Sequence, residues 1–164
     1  MRNYLLLLLP LLFVAACVNP PEYPIEPVIT FEGVNKVRIK QARLDSGPTD
    51  SLEIHFSFTD GDGDLGGLAD DSIDIFLQDS RLPIQTPFKI PAISREGTGN
   101  GISGDIFVTV TNSAGICCIV NGVLCERDPR FPTDTFSYSV QIRDRAGNLS
   151  NKIQTNPIEI LCLE

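Results

Sequence analysis

The segment from residue 52 to 59 constrains the fold more than any other part of the chain. Its apolar residues, Leu52, Ile54, Phe56 and Phe58, alternate strictly with polar ones. A period of two places successive side chains on opposite faces of an extended chain, which predicts a half-buried β-strand. The segment is therefore expected to turn one face towards a core and the other towards solvent.

The same alternation recurs along the chain, and no stretch after residue 28 shows a convincing helical period. Thirteen Gly and twelve Pro residues supply frequent turns between the apolar stretches. Short strands separated by turns predict an all-β, immunoglobulin-like two-sheet sandwich of about seven to eight strands, with a closed barrel as the alternative. The other predicted strands cover residues 28–31, 37–44 with a bulge between 39 and 42, 73–78, 88–93, 104–112, 136–143 and 158–163.

Residues 1–16 have the pattern of a secretory signal peptide. Arg2 provides a positive start, and the apolar core that follows is interrupted by Pro10 and too short for a membrane span of about 20 residues. The sequence Val14-Ala-Ala-Cys17 resembles a bacterial lipobox, which implies cleavage before Cys17 and acylation of that residue. An ordinary signal peptide cut elsewhere is the alternative.

Acylation of Cys17 would anchor the protein in a membrane, since two or more acyl chains give stable attachment. Val18 stands where enterobacterial lipoproteins carry an Asp for retention in the inner membrane, so the analogy favours the outer membrane and leaves the leaflet open. Residues 17–27 contain four prolines and are predicted to form an extended tether about 30 Å long. The folded domain is predicted to cover residues 28–164.

The formal net charge of −8 at pH 7 bears on the class of partner. Nucleic-acid binding depends on clustered Lys and Arg, so the acidic balance disfavours it. An acidic surface can hold divalent cations, although it also simply keeps a domain soluble. The predicted partners are a membrane, through the lipid anchor, and an envelope protein or glycan of unknown identity.

Asp60, Asp62 and Asp64 follow the clearest predicted strand, with Gly61 and Gly63 between them. Carboxylates held ~4 Å apart repel by about 1 kcal/mol per pair even in water, so they need solvent or a cation between them. Calcium (Ca²⁺) takes six to eight oxygen ligands and suits a flexible glycine-containing loop, so a calcium site is predicted here. Asp and Gly are also favoured in turns for backbone reasons alone, which is the alternative.

This loop does not have the pattern of an EF-hand. Counted from Asp60, the sixth position is Leu65, where that motif requires Gly, and the twelfth is Asp71 rather than Glu. No helices are predicted to flank the loop. Asp70 and Asp71 are weaker candidate ligands, because they are predicted to begin the next strand.

Topology predicts a second contribution to the same site. In an immunoglobulin-like sandwich the B–C and F–G loops lie at one end, and the aspartate loop occupies the B–C position. The predicted F–G loop begins at Asp144 and contains Asn148. Asp60 and Asp144 each continue the inward parity of their strands, so the two loops are expected to offer oxygen atoms to one ion. The predicted ligands are Asp60, Asp62, Asp64, Asp144 and Asn148.

The cysteines other than Cys17 are predicted to lie at the opposite end of the sandwich, and an oxidising compartment would pair them in two disulfides. Adjacent cysteines can bond to each other only with strain, so Cys162 is expected to pair with one of the adjacent two and Cys125 with the other. A four-thiolate zinc site is the alternative, although the spacing lacks the usual C-x2-4-C pattern. The four candidates are Cys117, Cys118, Cys125 and Cys162.

Two stretches carry a resemblance to known proteins. Phe58-Thr-Asp-Gly-Asp-Gly-Asp-Leu-Gly66 and residues 138–151, with their Asp-Arg-Ala-Gly-Asn turn, resemble small, largely uncharacterised lipoproteins of Bacteroidetes-type bacteria. The second stretch is also similar to the closing strands of bacterial immunoglobulin-like adhesion modules. The resemblance implies an envelope location and a sandwich fold, and it implies no established activity.

Together these features predict a non-catalytic, lipid-anchored envelope lipoprotein whose calcium-stabilised loop end has a structural or partner-binding role. Carbohydrate binding, as an accessory to polysaccharide uptake, is the alternative because calcium can bridge sugar hydroxyls. The absence of Trp and the presence of only three Tyr leave few rings for stacking on sugars. Catalysis is disfavoured, because the paired carboxylates crowd one glycine-rich loop and no Ser/His/Asp arrangement is visible.

Overall fold

The computed structural model of the protein describes residues 22–42, 45, 47–67, 73–91, 93, 101–112 and 116–163. In these ranges the regular structure is all β, with no α-helix, which confirms the predicted class. The strands are β1 (Val28–Val34), β2 (Arg38–Lys40), β3 (Ser51–Asp60), β4 (Ile75–Asp79), β5 (Gln85–Phe88), β6 (Ile102–Thr111), β7 (Ile119–Val120), β8 (Val123–Leu124), β9 (Thr133–Phe136), β10 (Tyr138–Ile142), β11 (Ile153–Gln154) and β12 (Ile158–Leu161).

The strands form three sheets and a small hairpin. One sheet has the order β1-β3-β6, a second has the order β11-β10-β4-β5, and a third has the order β2-β12-β9. Neighbours in these sheets are antiparallel, except that β12 runs parallel to β2. Strands β7 and β8 pair only with each other among the described residues.

The sheets enclose one hydrophobic core, so the molecule is a β-sandwich. Strand β3 buries every second side chain along its whole length, as the alternation of residues 52–58 predicts. Its inward residues pack with inward residues of β4, β6, β10 and β12 in a single cluster. Burying one such Leu, Ile or Phe side chain contributes about 1.5–3 kcal/mol, so this cluster supplies the main driving force for folding.

The strand predicted over residues 136–143 is divided at Ser137. Phe136 ends β9, which starts at Thr133 and pairs with β12. Residues 138–142 form β10, which pairs with β4, so the chain passes from one sheet to another. The Ser137 amide donates to the Ser80 hydroxyl instead of continuing a ladder. Such divisions make the strands more numerous and shorter than the alternation alone predicts.

The prediction of a strand over residues 88–93 is wrong beyond Phe88, where β5 ends. Pro91 has no N–H for a ladder, and the Ile90 N–H donates to the buried carboxylate of Asp74 at 3.3 Å. The predicted strand over residues 37–44 is shorter than expected, since β2 ends at Lys40, and residue 44 lies outside the described ranges. The bulge predicted between residues 39 and 42 stays a prediction. A register shift is observed in a different strand, β1, between Phe31 and Gly33.

Strand direction defines two ends of the sandwich. Strands β3 and β10 both run towards one end, which we call the aspartate rim and define as residues 60–67 and 144–148. Ser51, at the start of β3, pairs with Thr111, at the end of β6. The chain after Thr111 therefore lies at the opposite end, which we call the disulfide end and define as residues 116–125 with Cys162.

Candidate metal centre

Two of the predicted ligands continue the inward parity of the strands that lead to them. Asp60 follows Leu52, Ile54, Phe56 and Phe58 in the buried parity of β3 and is itself fully buried. Asp144 lies two residues beyond Ile142, which ends β10, and it is 1% exposed. Alternation of side chains along a strand thus directs both carboxylates into the mouth of the sandwich.

The loop after β3, which forms the first part of the rim, folds back towards Asp60. Gly63 adopts a left-handed backbone conformation, with φ of 67°, between Asp62 and Asp64. Glycine is the residue that adopts this conformation without steric cost, so it allows the loop to turn sharply between two carboxylates. Leu65 is then fully buried, and its amide donates to the Oδ2 atom of Asp60 at 3.0 Å.

The loop after β10 orients the carboxylate of Asp144 through hydrogen bonds from Asn148. The Asn148 backbone amide donates to its Oδ1 atom at 2.7 Å, and the Asn148 side-chain Nδ2 donates to its Oδ2 atom at 2.8 Å. The Asp144 amide in turn donates to the Asn148 carbonyl at 3.1 Å. Asn148, predicted as a ligand, therefore orients a carboxylate of the cluster in this structure, and its direct contact with an ion stays a prediction.

Arg145 connects the two loops. Its backbone amide donates to the Asp64 carbonyl, and its Nη2 atom donates to the Gly63 carbonyl, both at 3.3 Å. A backbone hydrogen bond from Ala146 also reaches the carboxylate of Asp64. These contacts fix the aspartate loop against the loop that begins at Asp144.

The four carboxylates meet at one point, as the topology argument predicts. Asp60, Asp62, Asp64 and Asp144 each contribute one oxygen atom to a group in which every pair lies within 4.8 Å. Asp60 and Asp144 are buried, Asp64 is half-buried and Asp62 is exposed. The group is therefore enclosed by the protein on one side and open to solvent on the other.

Burial and mutual repulsion disfavour the charged forms of the carboxylates in this group. Burial, and then the charges of Asp62 and Asp64, raise the pKa of Asp60 to about 6. Burial, and then the charges of Asp144 and Asp62, also raise the pKa of Asp64, although Arg145 opposes this shift. The Oδ1 atoms of Asp60 and Asp64 are buried and accept no hydrogen bond within the described structure.

The donor set fits a hard divalent cation. Two oxygen atoms that bind one Ca²⁺ at about 2.3–2.6 Å can be separated by no more than about 4.6–5.2 Å. The limit of 4.8 Å within this group meets that requirement. A bound cation would also satisfy the two buried oxygen atoms that lack partners, and buried charges without a partner are costly. The residues present therefore fit Ca²⁺.

The disulfide end carries both predicted disulfides. Cys117 bonds Cys125 and Cys118 bonds Cys162, with Cα atoms 4.6 Å and 5.7 Å apart. The structure thereby decides which of the adjacent cysteines takes which partner, a choice that the sequence left open. Cys17, the predicted lipidation site, and the weaker candidate ligands Asp70 and Asp71 lie outside the described residues.

Sequence reasoning missed two features near the rim. Asp74 is 1% exposed and its Oδ1 atom has no partner in the described structure, although the alternation of residues 73–78 predicts an outward side chain. The Gly61 amide donates to the Pro24 carbonyl at 2.7 Å, so part of the predicted tether contacts the aspartate loop. No local pattern signals either feature, because both depend on segments distant in sequence.

No protein-family model, curated protein or solved structure matches the chain. The resemblance to envelope lipoproteins therefore stays a prediction that depends on the two quoted motifs. Among the described residues, no helix has the length and hydrophobicity that a membrane span requires.

Proposed function

We propose that the protein is a non-catalytic, lipid-anchored lipoprotein of the bacterial outer membrane whose aspartate rim binds calcium. The convergence of four carboxylates around two buried, unpartnered oxygen atoms is the observation that carries this proposal. The strands bring two loops together, and the ion neutralises the carboxylates of these loops and thereby orders them. The ordered rim then has a structural or partner-binding role at the cell envelope.

Calcium binding is tested by thermal unfolding and calorimetry of the mature chain, residues 17–164, carrying Cys17→Ser to prevent acylation. If the dissociation constant is one hundredth of the calcium concentration, the ion adds about 2.7 kcal/mol to the free energy of unfolding. We expect a higher melting temperature in calcium than in chelator. Equal melting temperatures together with no heat of binding would refute the proposal.

Two variants separate a specific site from a general effect of charge. Asp62→Asn removes an exposed carboxylate of the cluster, so the fold should survive while calcium affinity falls at least about tenfold. Asp105→Asn removes an exposed carboxylate that bonds His55 on β3, outside the cluster. The second variant changes the net charge equally and should retain wild-type calcium affinity.

The lipid anchor is tested separately in a bacterial host that expresses the full chain. Acylated protein should partition into the detergent phase and incorporate labelled palmitate, because its acyl chains dominate its partitioning. Cys17→Ser should appear in the aqueous phase without label. Labelling that persists in the Cys17→Ser variant would place the modification elsewhere and contradict this part of the proposal.

Carbohydrate binding is a second candidate for the role of the rim. Asp62 is exposed, so an ion bound there has coordination positions that face outwards and can accept hydroxyl oxygens. A glycan array probed in calcium and in chelator tests this candidate. Calcium-dependent signals that Asp62→Asn abolishes and Asp105→Asn retains would support it, whereas an array without calcium-dependent signals would exclude the glycans tested.

A further inference from the structure

Residues Tyr23 and Pro24, within the segment predicted to be a free tether, lie against the aspartate rim. The Pro24 carbonyl accepts the 2.7 Å hydrogen bond from the Gly61 amide. Gly61 stands between Asp60 and Asp62, two members of the carboxylate group. The seated segment and the predicted ion therefore depend on the same three residues of the loop.

Two glycines form the seat for this segment. A Cβ atom on Gly61 would lie 2.3 Å from the Tyr23 carbonyl oxygen and 2.6 Å from the Pro24 carbonyl oxygen. A Cβ atom on Gly101 would lie 2.7 Å from Cδ2 of the Tyr23 ring. Since Asp60 pairs with Ile102 in the β3–β6 ladder, the two glycines lie side by side where the ladder ends. The segment fits because neither position carries a side chain.

We propose that the aspartate rim is also a calcium-dependent docking site for the chain's own N-terminal segment, which it holds through Tyr23 and Pro24. This inference rests on the proposed calcium site. An ion bound by Asp60 and Asp62 fixes both neighbours of Gly61 and with them the direction of the Gly61 N–H. Without the ion, repulsion among the carboxylates favours opening of the loop and release of the segment.

The negative charge of the segment also makes docking depend on calcium. Glu22 and Glu26 are exposed and flank the seated residues, so they add negative charge beside the rim. A divalent cation in the rim reduces the repulsion between this segment and the four carboxylates. Docking and calcium binding therefore favour each other, and linkage requires that each strengthens the other by the same factor.

Docking would set the distance between the rim and the predicted lipid anchor. Cys17 lies six residues before Tyr23, so a seated segment leaves at most about 20 Å of chain between them. A released segment would extend the free chain to Pro27, at about 3.1 Å per residue in an extended conformation, to about 30 Å. Calcium would thereby hold the acidic rim close to the membrane.

Hydrogen exchange measured by NMR tests the docking directly, since the Gly61 amide is the donor of the contact. In the mature chain with Cys17→Ser, we expect the Gly61 amide to exchange at least about tenfold more slowly in calcium than in chelator. The Cys162 amide, which donates to the Pro132 carbonyl at the disulfide end, reports any effect of calcium on the stability of the whole fold, so docking is measured as the slowing of Gly61 beyond that of Cys162.

A matched pair of variants on the segment completes the test. Tyr23→Ala removes the ring that lies over Gly101, so Gly61 should exchange faster in calcium and calcium affinity should fall about three- to tenfold. Ile25→Ala removes a side chain that is 59% exposed on the same segment and should change neither quantity. Wild-type calcium binding with no slowing of Gly61 exchange beyond that of Cys162 would overturn the docking inference and leave the calcium site standing. Absence of calcium binding would overturn both.

Discussion

The two ends of the sandwich differ in whether their carboxylates form salt bridges. Near the disulfide end, Asp79 and Asp134 flank Arg81, whose Nη2 and Nη1 atoms contact them at 2.6 Å and 2.5 Å. Burial alone would lower the pKa of Arg81, but bonds to Asp79 and the charge of Asp134 hold it above its ordinary value. The carboxylates at this end have a permanent cation within the chain.

The aspartate rim gathers more carboxylates, and among the described residues no salt bridge joins them to a Lys or Arg side chain. The charge of Arg145 lowers the pKa of Asp64, yet its Nη2 atom donates to the Gly63 carbonyl and not to a carboxylate. Two carboxylate oxygen atoms of the rim are left buried without a hydrogen bond. Asp79 and Asp134 thus form salt bridges within the chain, whereas the rim carboxylates form none among the described residues, which supports the proposal that the rim binds a cation from solution.

The largest expected effect comes from the covalent bonds of the disulfide end. In the chain-entropy model, the Cys118–Cys162 bond, with a separation of 44 residues, stabilises by about 4 kcal/mol. The Cys117–Cys125 bond, with a separation of 8 residues, stabilises by about 2.5 kcal/mol. Urea unfolding of the two double Cys→Ala variants should show the larger loss for residues 118 and 162. The reverse order would mean that loop length does not determine the contribution of these bonds.

A slightly smaller effect is expected when the internal cation is removed. Arg81→Met leaves Asp79 and Asp134 facing each other with little solvent, which should lower the free energy of unfolding by about 3 kcal/mol at neutral pH. In this variant the disulfide end, like the rim, would have neighbouring carboxylates without a salt bridge. Urea unfolding at pH 7 measures the loss.

The chain offers a matched control for this variant. Arg130 contacts Asp128 at 2.6 Å with the same spacing of two residues, but its side chain is 77% exposed. Arg130→Met should leave the free energy of unfolding unchanged within error, because solvent already screens that pair. Equal losses in the two variants would show that pairing, and not burial, determines the cost.

The pH dependence of stability distinguishes the rim from the disulfide end. Folding raises the pKa of Asp60 from 3.8 to about 6, so the folded chain holds a proton that the unfolded chain releases between these values. In chelator, this contribution is fully present below about pH 4 and is lost as the pH rises through about 6. The expected loss is on the order of 1–3 kcal/mol.

Calcium should reverse this trend, because an ion binds the deprotonated carboxylates and its contribution grows as the pH rises through about 6. Melting temperatures from pH 4.5 to 8, in calcium and in chelator, measure both trends. The charges that face Asp60 are those of Asp62 and Asp64, with Asp144 and Arg145 beside them. Asp60→Asn should flatten the chelator curve, and a wild-type curve that is already flat would contradict the raised pKa.

Local periodicity explains what could be predicted from the sequence. The alternation of residues 52–58 sets the inward parity that Asp60 continues, and the alternation of residues 138–142 does the same for Asp144. Because parity is a property of a single strand, it can be predicted without knowing how the strands pair in the sheets. Both buried carboxylates of the rim were therefore predictable.

The features that could not be predicted depend on contacts between distant segments. The division at Ser137 depends on Ser80, which lies 57 residues away in sequence. The burial of Asp74 opposes the alternation predicted for residues 73–78. The position of Tyr23 depends on the lack of side chains at Gly61 and Gly101. None of these arrangements has a signature within a window of a few residues.

The smallest expected loss among the salt-bridge variants is at Arg38, on the outer face of the sheet β2-β12-β9. Arg38 contacts Glu159 at 2.5 Å across the parallel pair of β2 and β12, and their side chains are 70% and 31% exposed. Arg38→Met should lower the free energy of unfolding by about 0.5 kcal/mol or less, and 1 M salt should remove even that difference.

The contact between Arg38 and Glu159 is as short as the one between Arg81 and Asp134, so the two pairs differ in solvent exposure and not in distance. If urea unfolding gave Arg38→Met a loss close to that of Arg81→Met, exposure would not determine the cost of an unpaired charge. The reason to expect an external cation at the rim would then be lost.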